Sequence, residues 1–366
     1  MTRSHHAQPS PDTLVGAMNS GLSEEPSSPQ PDISPANDDA RPAVPRLTLD
    51  AIFFGRDGLR AIWGILIFLA LRKILPYAIY PLFQSAFSPS TGWTGSVPLR
   101  TVYVFEAAGL ASIALATWMI ARLEQRPFTA YGFAPRHGMR NFCAGLGWGA
   151  ALLSLLVFIL HATGLLVFDA RLLYGADPLR YGLMWLGGFL LVGFREELVS
   201  RAYLQFTLAR GLREILQRLV GPARANAAGF WIAALILSFA FGYSHLSNAL
   251  ESPLGLLSAG LIGLTFCLSL WRTGSLWWAI GFHASWDWAQ SFLYGVPDSG
   301  LMIRWRLMSS HTVGRPIISG GLTGPEGSVF ILPIVGLIVA VVILTLPRTH
   351  FGYIPASPRE AELDLR

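Results

Sequence analysis

The chain has 366 residues, 52% of them apolar and only 13% charged, with a mean hydropathy of +0.46. A soluble globular protein is about one quarter charged, so the charge deficit excludes an ordinary soluble enzyme. The net charge of +5 comes from 26 arginines and one lysine against 22 acids; no dense basic run or stripe forms, which excludes a nucleic-acid footprint, and membrane-loop bias accounts for the sign.

In chain order, residues 1–50 hold eight of the 24 prolines and seven serines with almost no apolar periodicity. Such a segment buries too little surface to offset its ordering entropy, and it reads as a disordered tail without a signal peptide. A transmembrane bundle is expected over residues 55–347, followed by a polar C-terminal tail at 348–366. Within the bundle, eight apolar segments approach the roughly 20 residues that a helix needs to cross a ~30 Å hydrocarbon core. They fall near 60–83, 100–121, 141–162, 181–207, 228–248, 253–272, 274–294 and 328–346. No strand alternation shows, and backbone satisfaction in lipid favours helices. The predicted fold class is therefore all-α: a polytopic integral membrane helical bundle of about eight transmembrane helices. Arg72 and Lys73 interrupt the first segment, which predicts a tilt, kink or split. Cys143 and Cys267 lie in apolar runs and make no disulfide framework.

Arginine placement sets the expected topology. Twelve arginines (56, 60, 122, 126, 136, 140, 210, 213, 218, 224, 272 and 348) fall in one set of connections, and six (100, 171, 180, 304, 306 and 315) in the alternate set. The bias predicts both termini in the cytoplasm, and the expected location is a bacterial inner (cytoplasmic) membrane. Ala209–Val220 is amphipathic, with Leu212, Ile215, Leu216 and Leu219 opposite Arg213, Gln217 and Arg218, and reads as an interfacial helix.

Three apolar segments carry polar groups that need a reason. The fourth contains Arg195, Glu196, Glu197 and Arg201, each charge costing roughly 2.5–3.5 kcal/mol on insertion scales. Glu197 and Arg201, four apart, share a helix face and can pair. Glu196 projects about 100° away, unmatched by that arginine; one carboxylate is supported and the other available. The fifth segment ends in Phe241 and His245, and the seventh carries His283 and Asp287, both pairs spaced by four. Read singly, these are an ion-pair network, an interfacial histidine and a polar seam between helices. Read together, a glutamate, two histidines and an aspartate on three helices form a set able to activate water and stabilise an oxyanion. Burial raises a carboxylate's affinity for protons towards the range of a general base.

Glu-Glu-x-x-x-Arg at 196–201, Phe-x-x-x-His at 241–245 and His-x-x-x-Asp at 283–287 resemble the three signatures of the CPBP family. These are the CAAX proteases and bacteriocin-processing (Abi) proteins, related to the Ras-converting CAAX prenyl endopeptidase. The resemblance covers a core of residues 181–294 and implies an intramembrane endopeptidase with eight helices, in agreement with the segment count. It implies Glu196 as the base that activates water, assisted by His245, with His283 and Asp287 binding the scissile carbonyl. Glu197, Arg201 and Phe241 are implied as support. Many members carry asparagine where this chain has Asp287, and a carboxylate donates no hydrogen bond unless protonated.

No cofactor is expected. Two histidines and a glutamate can ligate zinc, so Glu196, His245 and His283 are the set a metal would use, although no His-Glu-x-x-His helix is present. The expected partners are the lipid bilayer and a membrane-embedded or lipid-flanked protein or peptide substrate, with no nucleic acid. The alternative function is a non-proteolytic binding, immunity or scaffold protein; a transporter using intramembrane carboxylates is a third class, without an inverted repeat to support it. With both termini inside, His245 falls near the outer end of its segment and Glu196 nearer mid-depth. That predicts shifted spans, a break at Gly242 or the opposite orientation. Of the remaining polar residues, His5, His6, His137, His311 and His350 rank low and His161 reads as interfacial. Glu106 is a buried acid without an obvious partner. Trp271, Trp277, Trp278, Trp286 and Trp288 read as an aromatic belt or packing.

Overall fold

The computed structural model describes residues 52–55, 58–86, 96–133 and 137–348. The expected terminal tails, His5, His6, His350, Arg56 and Arg136 lie outside the described residues, apart from Arg348 itself. Strands β1 (Phe54–Gly55) and β2 (Gly58–Leu59) form a minimal antiparallel pair before helices α1 (Ala61–Ala86), α2 (Leu99–Leu123) and α3 (Gly138–Ala162). Strand β3 (Leu166–Arg171) leads into α4 (Asp177–Glu197), a π-helical stretch at Leu198–Tyr203 and α5 (Leu204–Val220). Next come α6 (Pro222–Ser244), α7 (Pro253–Thr273) and α8 (Trp277–Trp288), the last followed by a second π-helical stretch at Ala289–Leu293. Strand β4 (Met308–Thr312), the short α9 (Pro316–Ser319) and α10 (Ile331–Thr345) complete the described chain.

A helix occupies each of the eight predicted segments, and the fold is a helical bundle of an integral membrane protein. Among the described residues, five helices are long and apolar enough to cross a membrane: Ala61–Gln84, Leu99–Leu123, Gly138–Ala162, Pro222–Ser247 and Pro253–Thr273. The other three differ for identifiable reasons. The fourth carries the charges of the Glu-Glu-x-x-x-Arg motif. Helix α8 has 12 residues, about 18 Å at 1.5 Å per residue, and is enclosed by protein, with Trp278 to Phe282 fully buried. Helix α10 has 15 residues, also short of a ~30 Å core.

The amphipathic segment is not a separate helix. The π-helical stretch carries the fourth helix on without a stop, so Arg210, Arg213 and Arg218 stand on a helix rather than in a loop. Ile215 and Leu219 are exposed while Leu212 packs onto the core. Arg210 is buried, donating to Glu124 Oε1 at 3.0 Å and to the Leu59 carbonyl at 2.9 Å. Arg126 Nε lies 3.5 Å from the other oxygen of Glu124. These two arginines, counted above for topology, thus answer a buried acid at the end of α2.

Short strands also form where no alternation announces them. β3 and β4 pair antiparallel across the 166–312 register, with an irregularity between Phe168 and Ala170. They lie outside the long apolar helices, where local hydrogen bonding rather than periodicity decides. His161 is bound into the start of this sheet: its Nδ1 donates to the Leu166 carbonyl at 3.0 Å and its ring packs on Phe168.

The centre is built by close helix contact. A Cβ on Gly149 of α3 would meet the Phe282 carbonyl oxygen, and one on Gly281 of α8 the Phe142 carbonyl oxygen, each at 2.3 Å. Small residues therefore let α3 and α8 touch backbone to backbone, the usual means of helix association in lipid. Helix α4 covers another side of α8, and the motif helices are thereby held in register. Trp278 and Trp286 pack with Phe282 in this core, so packing rather than an interfacial belt accounts for them.

Candidate active site

Glu196 and Glu197 are the last residues of α4, immediately before the π-helical stretch. π-turns inside helices concentrate at functional sites because the extra residue re-aims the side chains around them. His283 and Asp287 stand on α8, also just ahead of a π-helical stretch. His245 caps the end of α6 and begins a short 3₁₀ turn. Gly242 does not break that helix. A Cβ there would lie 2.4 Å from the Leu256 carbonyl oxygen, so this glycine lets α6 and α7 cross closely.

Glu196, His245, His283, Asp287 and Phe241 all line one cavity of about 600 Å³. His283 is the hub. Its Nδ1 is 3.0 Å from Glu197 Oε1, and its Nε2 is 3.5 Å from Asp287 Oδ2 and 3.7 Å from Glu196 Oε2. His245 Nδ1 is 2.9 Å from the Phe241 carbonyl oxygen. A carbonyl only accepts, so Nδ1 carries the proton and Nε2 is left for other work. The Phe241 ring meets both imidazoles edge-on, with centroids 4.9 Å from His245 and 6.3 Å from His283.

Behind this front lies a fully buried support. Arg201 pairs with Glu197, donates Nε–H to the Gly263 carbonyl at 3.2 Å, and lies over the rings of Phe241 at 4.4 Å and Phe266 at 5.2 Å. Neither Glu197 nor Arg201 is exposed. Their spacing of four survives the π-helical stretch that begins between them.

The expectation that Glu196 is unpartnered is corrected. Its Oε1 accepts from Arg195 Nη2 at 3.1 Å. Glu106 also has a partner, since its Oε2 lies 2.6 Å from Arg195 Nε. Helical spacing hides both contacts: neighbours in sequence do not face each other on a helix, and Glu106 comes from α2. Oε2 of Glu196 retains only the long approach to His283.

Other cavity residues escape the sequence reading altogether. Asp298 and Glu326 line the same cavity beside Asp287. Ser291 donates to Asp298 at 3.2 Å, and Trp286 Nε1 to Glu326 at 2.6 Å. Neither acid has a motif around it, Asp298 lying in a loop and Glu326 in the three-residue 3₁₀ turn Pro325–Gly327, so no spacing could have singled them out. Burial and the neighbouring Glu326 carboxylate hold the Asp298 carboxyl well above the usual carboxylate range. Among the low-ranked histidines, His311 pairs with Asp169 at 2.8 Å on the surface, and His137 precedes α3 with φ at 59°.

The Arg195 guanidinium already sits on Glu196, and among the described residues no three His, Cys, Asp or Glu side chains are grouped to hold an ion.

Comparison with known proteins adds one match. No curated protein and no solved structure matches the chain. Residues 178–289, which include all three motifs, match the family model described as type II CAAX prenyl endopeptidase Rce1-like, and over that core the chain is similar to the CPBP/CAAX proteases whose signatures its motifs resemble.

Proposed function

We propose that the protein is an intramembrane endopeptidase that hydrolyses a peptide bond in a membrane-associated protein or peptide. The observation that carries this reading is the convergence of Glu196, His245, His283 and Asp287, from three helices, on one cavity. The family match supports a peptide hydrolase.

Oε2 of Glu196, 3.7 Å from His283 Nε2, takes a proton from water as the oxygen attacks the scissile carbonyl carbon. His245 Nε2 faces the same space and shares that proton. His283, held through Nδ1 by Glu197 at 3.0 Å, stabilises the developing oxyanion from Nε2. The tetrahedral adduct then collapses, the C–N bond breaks, and the proton held by Glu196 passes to the leaving amine. Asp287 acts differently from an asparagine at this position: at 3.5 Å from His283 Nε2 its carboxyl orients that ring and offers the substrate no amide N–H.

The test compares membrane peptides, by mass spectrometry, from cells producing the chain with those from cells producing Glu196→Ala at equal level. New peptide termini present with the natural chain and lost with the variant are expected. Identical termini would remove the reading and leave the non-proteolytic binding, immunity or scaffold function.

A further inference from the structure

We infer that Arg195, seated on α2 by Glu106 and Gly109, positions Glu196 for its work as a base. The inference rests on the proposed role of Glu196 and adds a positioning residue that the three motifs do not contain.

Adjacent residues on a helix point about 100° apart, so Arg195 does not reach Glu196 by helical geometry alone. Its side chain first crosses to α2, where Nε comes within 2.6 Å of Glu106 Oε2, and from there Nη2 reaches back to Glu196 Oε1 at 3.1 Å. Helix α2 is shaped to receive it. Gly109 is three residues from Glu106 and so on the same face, and a Cβ there would sit 2.8 Å from Arg195 Cδ. An acid and a missing side chain together make a slot for one guanidinium.

Two consequences follow for Glu196. One carboxylate oxygen is fixed, so the other is directed at the space beside His283, 3.7 Å from Nε2. The same contact keeps the second oxygen uncrowded by the guanidinium, so it can take a proton from water. Glu106 keeps the guanidinium from swinging away.

A plain electrostatic link between α2 and α4 would need the same contacts, so the test must read the state of Glu196 itself. Dicyclohexylcarbodiimide attacks protonated carboxyl groups in apolar surroundings. The full chain in lipid nanodiscs is treated with it, and modification at Glu196 is followed by mass spectrometry. Arg195→Gln is expected to speed modification about tenfold, because Oε1 is no longer held by a charge-assisted hydrogen bond. Glu106→Gln/Arg195→Gln removes one charge of each sign, so the net charge of the slot is unchanged, and a double variant shown by thermal unfolding to be folded is expected to show the same acceleration. Arg195→Lys restores slow labelling. In the cleavage assay Arg195→Gln lowers kcat about tenfold with KM unchanged. Wild-type labelling rates in the folded double variant would overturn the inference. Faster labelling in a chain that releases no peptide termini would sustain it while removing the protease reading, so the two failures are distinguishable.

Discussion

Glu197 and His283, 86 residues apart, meet at 3.0 Å between Oε1 and Nδ1. Glu197 receives Arg201 on the same oxygen, so one buried carboxylate orients both the helix that carries Glu196 and the ring that faces it. Its role is thereby larger than the helix support that the resemblance implies.

Removing one member of this buried set is expected to cost more than removing the pair. Glu197→Ala and Arg201→Ala each leave a charge without its partner, a loss of about 3–5 kcal/mol. The double variant should lose less than the sum. Thermal unfolding in detergent across the four-member cycle measures the coupling; strictly additive losses would contradict the pairing.

Asp287 offers a finer test of the oxyanion site. Asp287→Asn supplies an N–H donor without changing volume, and activity within about tenfold of wild type is expected. Asp287→Ala removes the carboxylate and supplies no donor in its place, with an expected loss of about 10²-fold. Steady-state cleavage of a substrate found by the peptide comparison decides; equal activity of all three proteins would take Asp287 out of the site.

Gly263 faces Arg201 so closely that a Cβ would lie 2.4 Å from Nη2 and 3.4 Å from the Phe241 ring. Gly263→Ala therefore pushes the guanidinium off both Glu197 and the aromatic pair, with an expected destabilisation of about 1–3 kcal/mol. Cleavage should fall with it, because Phe241 also carries the carbonyl that holds His245. An unchanged melting temperature would show that Arg201 yields without consequence.

Asp298 gives the fold a pH dependence of stated sign. Burial, then the Glu326 carboxylate, hold its carboxyl well above the ordinary range, against the opposing hydroxyl of Ser291. The folded chain thus binds this proton more tightly than the unfolded chain, and stability falls as pH rises from the ordinary carboxylate value through the raised one. Asp298→Asn is expected to flatten that decline and to raise stability at neutral pH. Melting temperatures of both proteins from acid to alkaline pH check it; parallel curves would exclude Asp298 as the source.

Chelation tests the metal-free chemistry. Arg195 occupies Oε1 of Glu196, so stringent removal of divalent ions is expected to leave cleavage largely intact. Loss of cleavage that only zinc restores would reverse this expectation.

The membrane bundle and the residues at its centre are legible before any folding, because both are written in local patterns. Long apolar runs imply helices, and a spacing of four places Glu197 beside Arg201, Phe241 beside His245, and His283 beside Asp287. Contacts between helices belong to the packed fold. It carried the fourth helix through a π-helical stretch into Val220, set Glu197 against His283, and drew Arg195 onto Glu106. It also brought Asp298 and Glu326 from unmarked segments to the cavity wall. Periodicity reports which residues share a face of one helix; which faces meet is settled by where glycines such as Gly149 and Gly281 let backbones touch, and that choice is made by the packed bundle as a whole.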